Sequence, residues 1–181
     1  MKKRATNIFE ATNPLRILAF LSARPGKEFL GSEIQKALKI SRMGVYLVLG
    51  ALERKKLVVK HAKGKFLTYS VDYGHPVVKQ FKILCQIAAL EPLLRSLGPV
   101  SKKIVLFGSA SRGEDAVDSD IDLFVLTAEP EEIQKKNPQQ WCGRKIQAVI
   151  KTPSDWAEFK DKDPIFYDEV NRGIVLWEAQ E

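Results

Sequence analysis

The chain has 181 residues, 45% of them hydrophobic and 28% charged, and it contains no repeat or low-complexity segment. Its net charge of +7 is unevenly divided, because residues 1–98 hold 18 Lys and Arg against 6 Asp and Glu, whereas residues 99–181 hold 11 against 16. The first half, with a net charge of +12, is suited to bind a polyanion, and the second half, with a net charge of −5, is suited to bind a metal ion. This length allows one large domain or two small ones that each bury a core.

Two features bear on the cellular compartment. Cys85 and Cys142 have no metal-ligand spacing, which is typical of reduced cytosolic thiols. The basic start of the chain is followed by no apolar segment of the signal-peptide type, and no run approaches the roughly 20 apolar residues of a membrane span. We therefore expect a soluble cytoplasmic protein without a membrane partner.

The first elements in chain order are three helices and a hairpin. A helix is expected to start at Asn13-Pro14, with Asn13 as the cap, and a shorter one over 33–38 with Ser32 as the cap. Ser41 is predicted to cap a third helix that runs to about residue 56. Strand-like runs at 57–60 and 66–71 flank a basic tip, which predicts a β-hairpin.

Three helices followed by a hairpin resemble a winged helix-turn-helix domain, a type common in bacterial and archaeal transcription regulators. In this motif the second helix of the pair meets base edges in the major groove of double-stranded DNA, and the hairpin lies over phosphates. The candidate DNA contacts in the third helix and in the hairpin are Ser41, Arg42, Met43, Tyr46, His61, Lys63 and Lys65. Two alternatives stay open: the lysines form an ordinary solvated face, or the domain is a protein–protein module.

Residues 76–97 predict a long apolar helix that Pro92 would kink or restart. Its apolar surface exceeds what one small domain needs, which favours a bridge between domains or the seam of a homodimer. An ordinary core helix is the alternative. Because Gly98-Pro99 is the best candidate boundary, the predicted divisions are 1–75, a connecting helix over 76–98, and 99–181.

The stretch 104–126, IVLFGSASRGEDAVDSDIDLFVL, holds an apolar strand, a glycine turn, a polar loop and a second apolar strand. Residues two apart in a strand share a face, so Asp120 and Asp122 point the same way. Paired carboxylates repel unless a cation lies between them, and Mg²⁺ is often held by one or two carboxylates and substrate phosphates. Gly108 and Ser109 lie where they can approach such phosphates. A surface strand with two solvated acids is the alternative.

Gly108-Ser109, ten further residues and the box Asp120-Ile121-Asp122 resemble the signature of the DNA polymerase β-like nucleotidyltransferase superfamily, in particular its minimal nucleotidyltransferase branch. The resemblance covers about residues 99–181 and implies a mixed β-sheet flanked by helices. It implies that Asp120 and Asp122 are catalytic and hold Mg²⁺, that Gly108 and Ser109 cradle the phosphates of a nucleoside triphosphate, most simply ATP, and that Arg112 offsets phosphate charge. Some members modify a partner toxin, so a protein acceptor is expected.

The sequence departs from the family on the strand predicted at 145–150. Nucleotidyltransferases of this type usually carry a third acidic residue there, which helps to hold the metal and deprotonates the attacking hydroxyl. Here the strand offers Gln147, whose amide is a ligand but not a base. Asp155 is interpreted as a helix-capping charge after Thr152 rather than as the missing ligand.

The sequence thus predicts an α+β chain with an N-terminal winged helix-turn-helix domain and a C-terminal minimal nucleotidyltransferase domain. The predicted function is Mg²⁺-dependent transfer of AMP from ATP to a protein or other macromolecule, in a toxin–antitoxin or regulatory setting. The alternative is a transcription regulator whose transferase-like domain binds a nucleotide without chemistry, and a third interpretation is a protein-interaction module with a decayed site.

Overall fold

The structure is a computed structural model that describes residues 12–180, an α+β chain. It divides into two compact units, Met1–Cys85 and Gln86–Glu181. The division falls inside the long helix of 22 residues, Pro76–Leu97.

The N-terminal unit contains three helices and a small antiparallel sheet. Its elements are α1 (Asn13–Ser22), β1 (Phe29–Leu30), α2 (Gly31–Leu38), α3 (Arg42–Arg54), β2 (Val58–Lys63) and β3 (Phe66–Val71). The sheet order is β1-β3-β2, with antiparallel pairing throughout. The core holds buried side chains from all three helices and from both long strands, among them Ile17, Ile34, Leu49, Val58 and Tyr69.

Two predicted helix caps are wrong by one or two residues. The N-cap of α1 is Thr12, and Asn13 is already helical. The second helix starts at Gly31, so Ser32 lies within it, because the carboxylate of Glu33 accepts the Leu30 backbone N–H at 2.7 Å in place of a hydroxyl cap. The prediction for Ser41 is confirmed, since its Oγ accepts the Gly44 N–H at 3.2 Å at the start of α3.

The hairpin is longer than the sequence pattern indicates. β2 extends to Lys63, which pairs with Phe66, so only two residues form the turn. Gly64 occupies it with a φ of +59°, a backbone conformation that glycine adopts without steric cost.

The helix α4 (Pro76–Leu97) is continuous, and Pro92 lies inside it rather than restarting it. Together with the turn that follows, 76–100 is the one helical segment among the described residues that is long and apolar enough to span a membrane, with a mean hydropathy of 1.2. The expectation that no run approaches a span is therefore too strict. A core helix passes the same test, and Leu90, Leu93 and Leu97 of α4 are buried in the core of the C-terminal unit.

The C-terminal unit contains a five-stranded mixed sheet. Its further elements are β4 (Lys103–Leu106), α5 (Gly108–Ser111), β5 (Ile121–Leu126), α6 (Pro130–Lys136), β6 (Gln140–Trp141), β7 (Arg144–Lys151), α7 (Pro153–Lys162), α8 (Pro164–Asn171) and β8 (Ile174–Glu178). The sheet order is β6-β7-β5-β4-β8, in which β5 and β7 are parallel and the other pairs antiparallel. This is the mixed sheet flanked by helices that the sequence predicted.

Both faces of this sheet are covered. One core holds residues of α4 and α6 with alternate residues of the central strands, including Leu90, Ile133, Ile121, Leu123 and Ile146. The other packs α7 and α8 onto the opposite face through Phe107, Phe124, Val170, Trp156 and Phe166. Because side chains alternate along a strand, Asp122 lies on the same face as Phe124.

Candidate active site

The two boxes of the sequence motif meet at the ends of β4 and β5. Phe107 donates its backbone N–H to the Asp122 carbonyl at 3.1 Å, so the chain turns from β4 into α5 beside Asp122. Gly108 has a φ of +67°, and a Cβ added there would lie 2.4 Å from Asp122 Oδ2. Only a residue without a side chain permits this approach of the carboxylate to the backbone.

Asp120 lies directly before β5 and is partly exposed, with its Oδ2 3.7 Å from the Lys145 ammonium. Lys145 is itself an exposed residue near the start of β7. The sequence predicted that both carboxylates lie on one face of a strand, but Asp120 precedes β5 and only Asp122 belongs to it. The charge of Asp120 nevertheless raises the pKa of Asp122, so the two carboxylates interact electrostatically.

The environment of Asp122 disfavours its ionised form. Partial burial raises the pKa of Asp122 most, and the negative charges of Asp120 and Glu169 raise it further, while the Arg144 guanidinium opposes them. Glu169 comes from α8 and was not singled out by the sequence pattern. A cation placed beside an acidic group with a raised pKa stabilises the ionised form of that group.

The position of the missing third acid is occupied by a neutral side chain. Asp122 on β5 is paired in parallel register with Gln147 on β7. Ile146 and Ala148 pack in the core on the opposite face, so Gln147 lies on the face of Asp122 and is exposed. Asp155, by contrast, bonds to the Thr152 hydroxyl at 2.7 Å, and these contacts lower the pKa of Asp155, which fits its interpretation as a capping residue.

Ser109 and Arg112 lie on the turn that follows Gly108. The Ser109 carbonyl accepts the backbone N–H groups of Arg112 and Glu114. The exposed Arg112 guanidinium is shared between Glu114 at 3.2 Å and Glu169 at 4.0 Å. Beside this turn is an open cleft of about 510 Å³, lined by Ser111, Arg112, Ile165, Asp168, Glu169 and Arg172.

The donor set suits a hard divalent cation that also binds substrate. No group of three or more His, Cys, Asp or Glu side chains arranged to hold a metal exists within residues 12–180. Asp120 and Asp122 supply carboxylate oxygens, and Mg²⁺ is commonly held by one or two carboxylates together with substrate phosphates. At Gly108 the backbone turn lies directly against the Asp122 carboxylate, since an added Cβ would come within 2.4 Å of Oδ2.

A buried ion pair near Asp120 was not predicted from the sequence. Arg144 Nη1 lies 2.8 Å from Asp115 Oδ2, whose side chain is 2% exposed. Arg144 also donates to the backbone carbonyls of Ser119 at 2.8 Å and Asp120 at 3.0 Å. The separation of these residues along the chain gives no sequence pattern from which the pair follows.

The candidate DNA contacts of the N-terminal unit have mixed surroundings. Arg42 is exposed and lies 6.0 Å from the centre of the Tyr46 ring, and Lys65 is exposed on the hairpin turn. Lys63 is paired with Glu28 at 3.2 Å. The structure adds exposed apolar residues that the sequence analysis missed, among them Leu47, which is 66% exposed one helical turn from Met43 at 69%, and Phe66 on the hairpin at 53%.

The remaining two candidates are engaged locally. The Ser41 hydroxyl caps α3, as described above, and His61 Nε2 is hydrogen-bonded to Ser70 Oγ at 2.9 Å. Neither Cys85 nor Cys142 forms a disulfide.

Comparison with known proteins identifies one domain. Residues 87–169 match the family model described as a nucleotidyltransferase domain. The match covers less than half of the 181-residue chain and includes both motif boxes, β7 and most of α8. Domains of this family generally use a nucleoside triphosphate and a divalent metal.

No curated protein has a sequence that matches this chain significantly. A solved structure, TrmBL2, described as an archaeal chromatin protein that shows a novel mode of DNA binding, aligns with 85% of this chain and 67% of its own, at 17% identity and a TM-score of 0.31.

Proposed function

We propose that the C-terminal unit is a Mg²⁺-dependent nucleotidyltransferase that transfers AMP from ATP to a macromolecular acceptor. The observation that carries the proposal is the fit between Gly108 and Asp122, within a segment that matches the nucleotidyltransferase domain family. A carboxylate beside a side-chain-free turn brings a metal ligand next to backbone that can approach phosphates.

The residues then have distinct roles. Asp120 and Asp122 would hold Mg²⁺, which when bound neutralises phosphate charge as a Lewis acid. Gly108 and Ser109 would receive the β- and γ-phosphates through the backbone and the hydroxyl, and Arg112 at the cleft would offset their charge.

The proposed reaction is a direct transfer to the acceptor, without a covalent enzyme intermediate. A hydroxyl oxygen of the acceptor forms a bond to the α-phosphorus, the bond from that phosphorus to the bridging oxygen of the β-phosphate breaks, and pyrophosphate leaves with the electron pair. Gln147 cannot take the hydroxyl proton at neutral pH, so the proton passes to water or to a base of the acceptor. Phosphoryl transfer depends mostly on positioning and charge stabilisation, which two carboxylates and a metal supply.

A second candidate function is favoured by Gln147. An exposed amide beside Asp122 fits a domain that binds a nucleotide without transferring it, as a regulator would. Calorimetric titration of ATP with and without Mg²⁺ tests the site that both candidates share. We expect Mg²⁺-dependent binding that disappears in Asp120→Asn/Asp122→Asn and persists in Asp118→Asn, a change at an exposed residue of the same loop. Binding that the double substitution leaves unchanged would contradict both candidates.

For the N-terminal unit we propose a winged helix-turn-helix domain over about residues 1–75 that binds double-stranded DNA, followed by a connecting helix over 76–98 and the transferase domain over 99–181. Support comes from the three helices with a basic hairpin and from the net charge of +12 of residues 1–98.

Exposed Val77 and Leu84 on α4 support a homodimer, which sedimentation would reveal as a doubled mass. A cytoplasmic location and a protein acceptor complete the proposal.

A further inference from the structure

The loop between α5 and β5 carries Asp120 and is held by contacts with one arginine. The Arg144 side chain forms an ion pair with Asp115 at 2.8 Å and donates hydrogen bonds to the backbone carbonyls of Ser119 at 2.8 Å and Asp120 at 3.0 Å. The side chain is only 16% exposed. A single guanidinium therefore fixes both the middle and the end of the loop, with the fork geometry that distinguishes arginine from lysine.

The partners of Arg144 are themselves held in place. Gln86 of α4 donates from Nε2 to Asp115 Oδ2 at 2.8 Å, so the buried carboxylate has donors from two elements. Arg144 begins β7 directly after Cys142 and Gly143, whose φ values of +52° and +80° form a tight hairpin with β6. The Trp141 indole of that hairpin donates to the Ala89 carbonyl of α4 at 2.7 Å. Arg144 thus projects from a hairpin that is hydrogen-bonded to α4.

The hydrogen bonds from Arg144 to the site go to its backbone, and the charge of the guanidinium also acts on Asp122, whose pKa it lowers. Because the carbonyls of Ser119 and Asp120 are fixed, the direction in which the Asp120 side chain leaves the chain is fixed as well. Metal ligands whose supporting hydrogen bonds are removed commonly lose affinity, although the ligands themselves remain. Nothing in the motif of the two boxes includes this residue.

We propose that Arg144 is a positioning residue for the metal site. Together with Asp115 it holds the 115–120 loop so that Asp120 and Asp122 bind the same ion. The inference rests on the proposed function for the presence of a metal, whereas the contacts of Arg144 with the loop do not depend on it. In this role Arg144 would act through the loop and carry no chemical step.

The variants separate positioning from folding. Arg144→Met alone leaves Asp115 as a buried charge and risks unfolding. The double variant Arg144→Met/Asp115→Asn removes both charges together, and Arg144→Lys keeps the charge but not the fork. The control is Arg95→Met, which removes an exposed arginine of α4 paired with Glu91 in the next helical turn.

The first readout is amide hydrogen exchange, which needs no activity. The N–H of Ala116 is bonded to Ser119 Oγ and that of Ser119 to the Ala116 carbonyl, so both report on the loop. We expect faster exchange at these two amides in the double variant, with unchanged protection in β5, an intermediate rate in Arg144→Lys and no change in Arg95→Met. Wild-type exchange of the loop in a folded double variant would overturn the inference.

The second readout is binding of Mn²⁺ in the presence of ATP, followed by the loss of the free-ion electron paramagnetic resonance signal. We expect affinity about tenfold weaker in the double variant and less weakened in Arg144→Lys. Equal affinity in the wild type and the double variant would overturn the positioning role. If the wild type itself binds no Mn²⁺, the proposed function fails, and the hydrogen-exchange result alone decides whether Arg144 holds the loop.

Discussion

A methyl group placed on Gly108 would meet Asp122 Oδ2 at 2.4 Å, well inside van der Waals contact. This relation links the two halves of the motif, the turn after β4 and the carboxylate on β5. It explains why the turn requires glycine on two independent grounds, the φ of +67° and the missing space. It also places the backbone of the phosphate-binding candidate next to the metal-binding candidate.

Gly108→Ala is therefore expected to displace the Asp122 carboxylate and to abolish Mg²⁺-dependent ATP binding. The backbone strain alone costs about 1–2 kcal/mol of stability. Gly26→Ala is the matched control, because Gly26 has a φ of +69°, close to that of Gly108, with nothing within 4 Å of an added Cβ. Calorimetric ATP titration and thermal unfolding of both variants separate the clash from the strain. Equal loss of ATP binding in the two variants would contradict the role of the close approach.

Asp122→Asn is expected to stabilise the metal-free protein at neutral pH. Burial, Asp120 and Glu169 raise the pKa of Asp122 above its usual 3.8, so the folded state binds the proton more tightly than the unfolded state. The stability that Asp122 contributes is complete below pH 3.8 and is lost as the pH rises through the folded pKa. The neutral amide escapes that loss.

Thermal unfolding in chelator at pH 7 tests this sign. The expected result is a higher midpoint for Asp122→Asn than for the wild type. The exposed Asp118→Asn, in the loop that precedes β5, is the control for removal of one negative charge nearby. Addition of Mg²⁺ and ATP is expected to stabilise the wild type more than Asp122→Asn, since only the former binds both. A lower midpoint for Asp122→Asn in chelator would show that the carboxylate is stabilised by a contact within the protein.

Gln147→Asp places a carboxylate opposite Asp122, where the register of β5 and β7 holds the two residues side by side. A group that accepts the hydroxyl proton is expected to raise the transfer rate by about tenfold or more. Gln147→Asn, which shortens the side chain without adding charge, is the control. An unchanged rate in Gln147→Asp would show that the third carboxylate is not needed in this protein.

The hairpin lysines test the proposed DNA-binding role. Lys63→Ala/Lys65→Ala is expected to weaken binding of any duplex to a similar extent and to reduce the slope of log affinity against log salt by about 1 for each phosphate that is no longer neutralised. Lys135→Ala, at an exposed lysine of the C-terminal unit paired with Glu132, is the control. Fluorescence anisotropy of a labelled duplex at several salt concentrations measures both quantities. No duplex binding at low salt would exclude the DNA-binding role.

Local signals sufficed for most of the fold. The position of β5 follows from the alternation of apolar and acidic residues, and α3 follows from Ser41 before an apolar helical stripe. The cap of α2 was misplaced because the Leu30 N–H is satisfied by the Glu33 carboxylate, a contact that a search for hydroxyl caps overlooks. The short strands β1 and β6 have only two residues each and no periodicity to detect.

The site was predictable only where its residues lie close together in sequence. Gly108, Asp120 and Asp122 belong to one stretch whose spacing has a known meaning. Arg144 and Glu169 come from elements folded against that stretch later in the chain, and no spacing links them to it. Gln147 falls between these cases, because its strand was predicted and its register with Asp122 was not.

Nucleotidyl transfer by the C-terminal unit can be measured with ATP labelled at the α-phosphate. The protein is incubated with labelled ATP and Mg²⁺, alone and with extract of its source cells, beside Asp120→Ala/Asp122→Ala and the control Asp118→Asn. We expect label on a macromolecule with the wild type and Asp118→Asn but not with the double variant, and γ-labelled ATP should give no label that depends on the wild-type protein. No labelled macromolecule, with ATP binding that the double variant loses, would contradict transfer and leave a nucleotide-binding regulator.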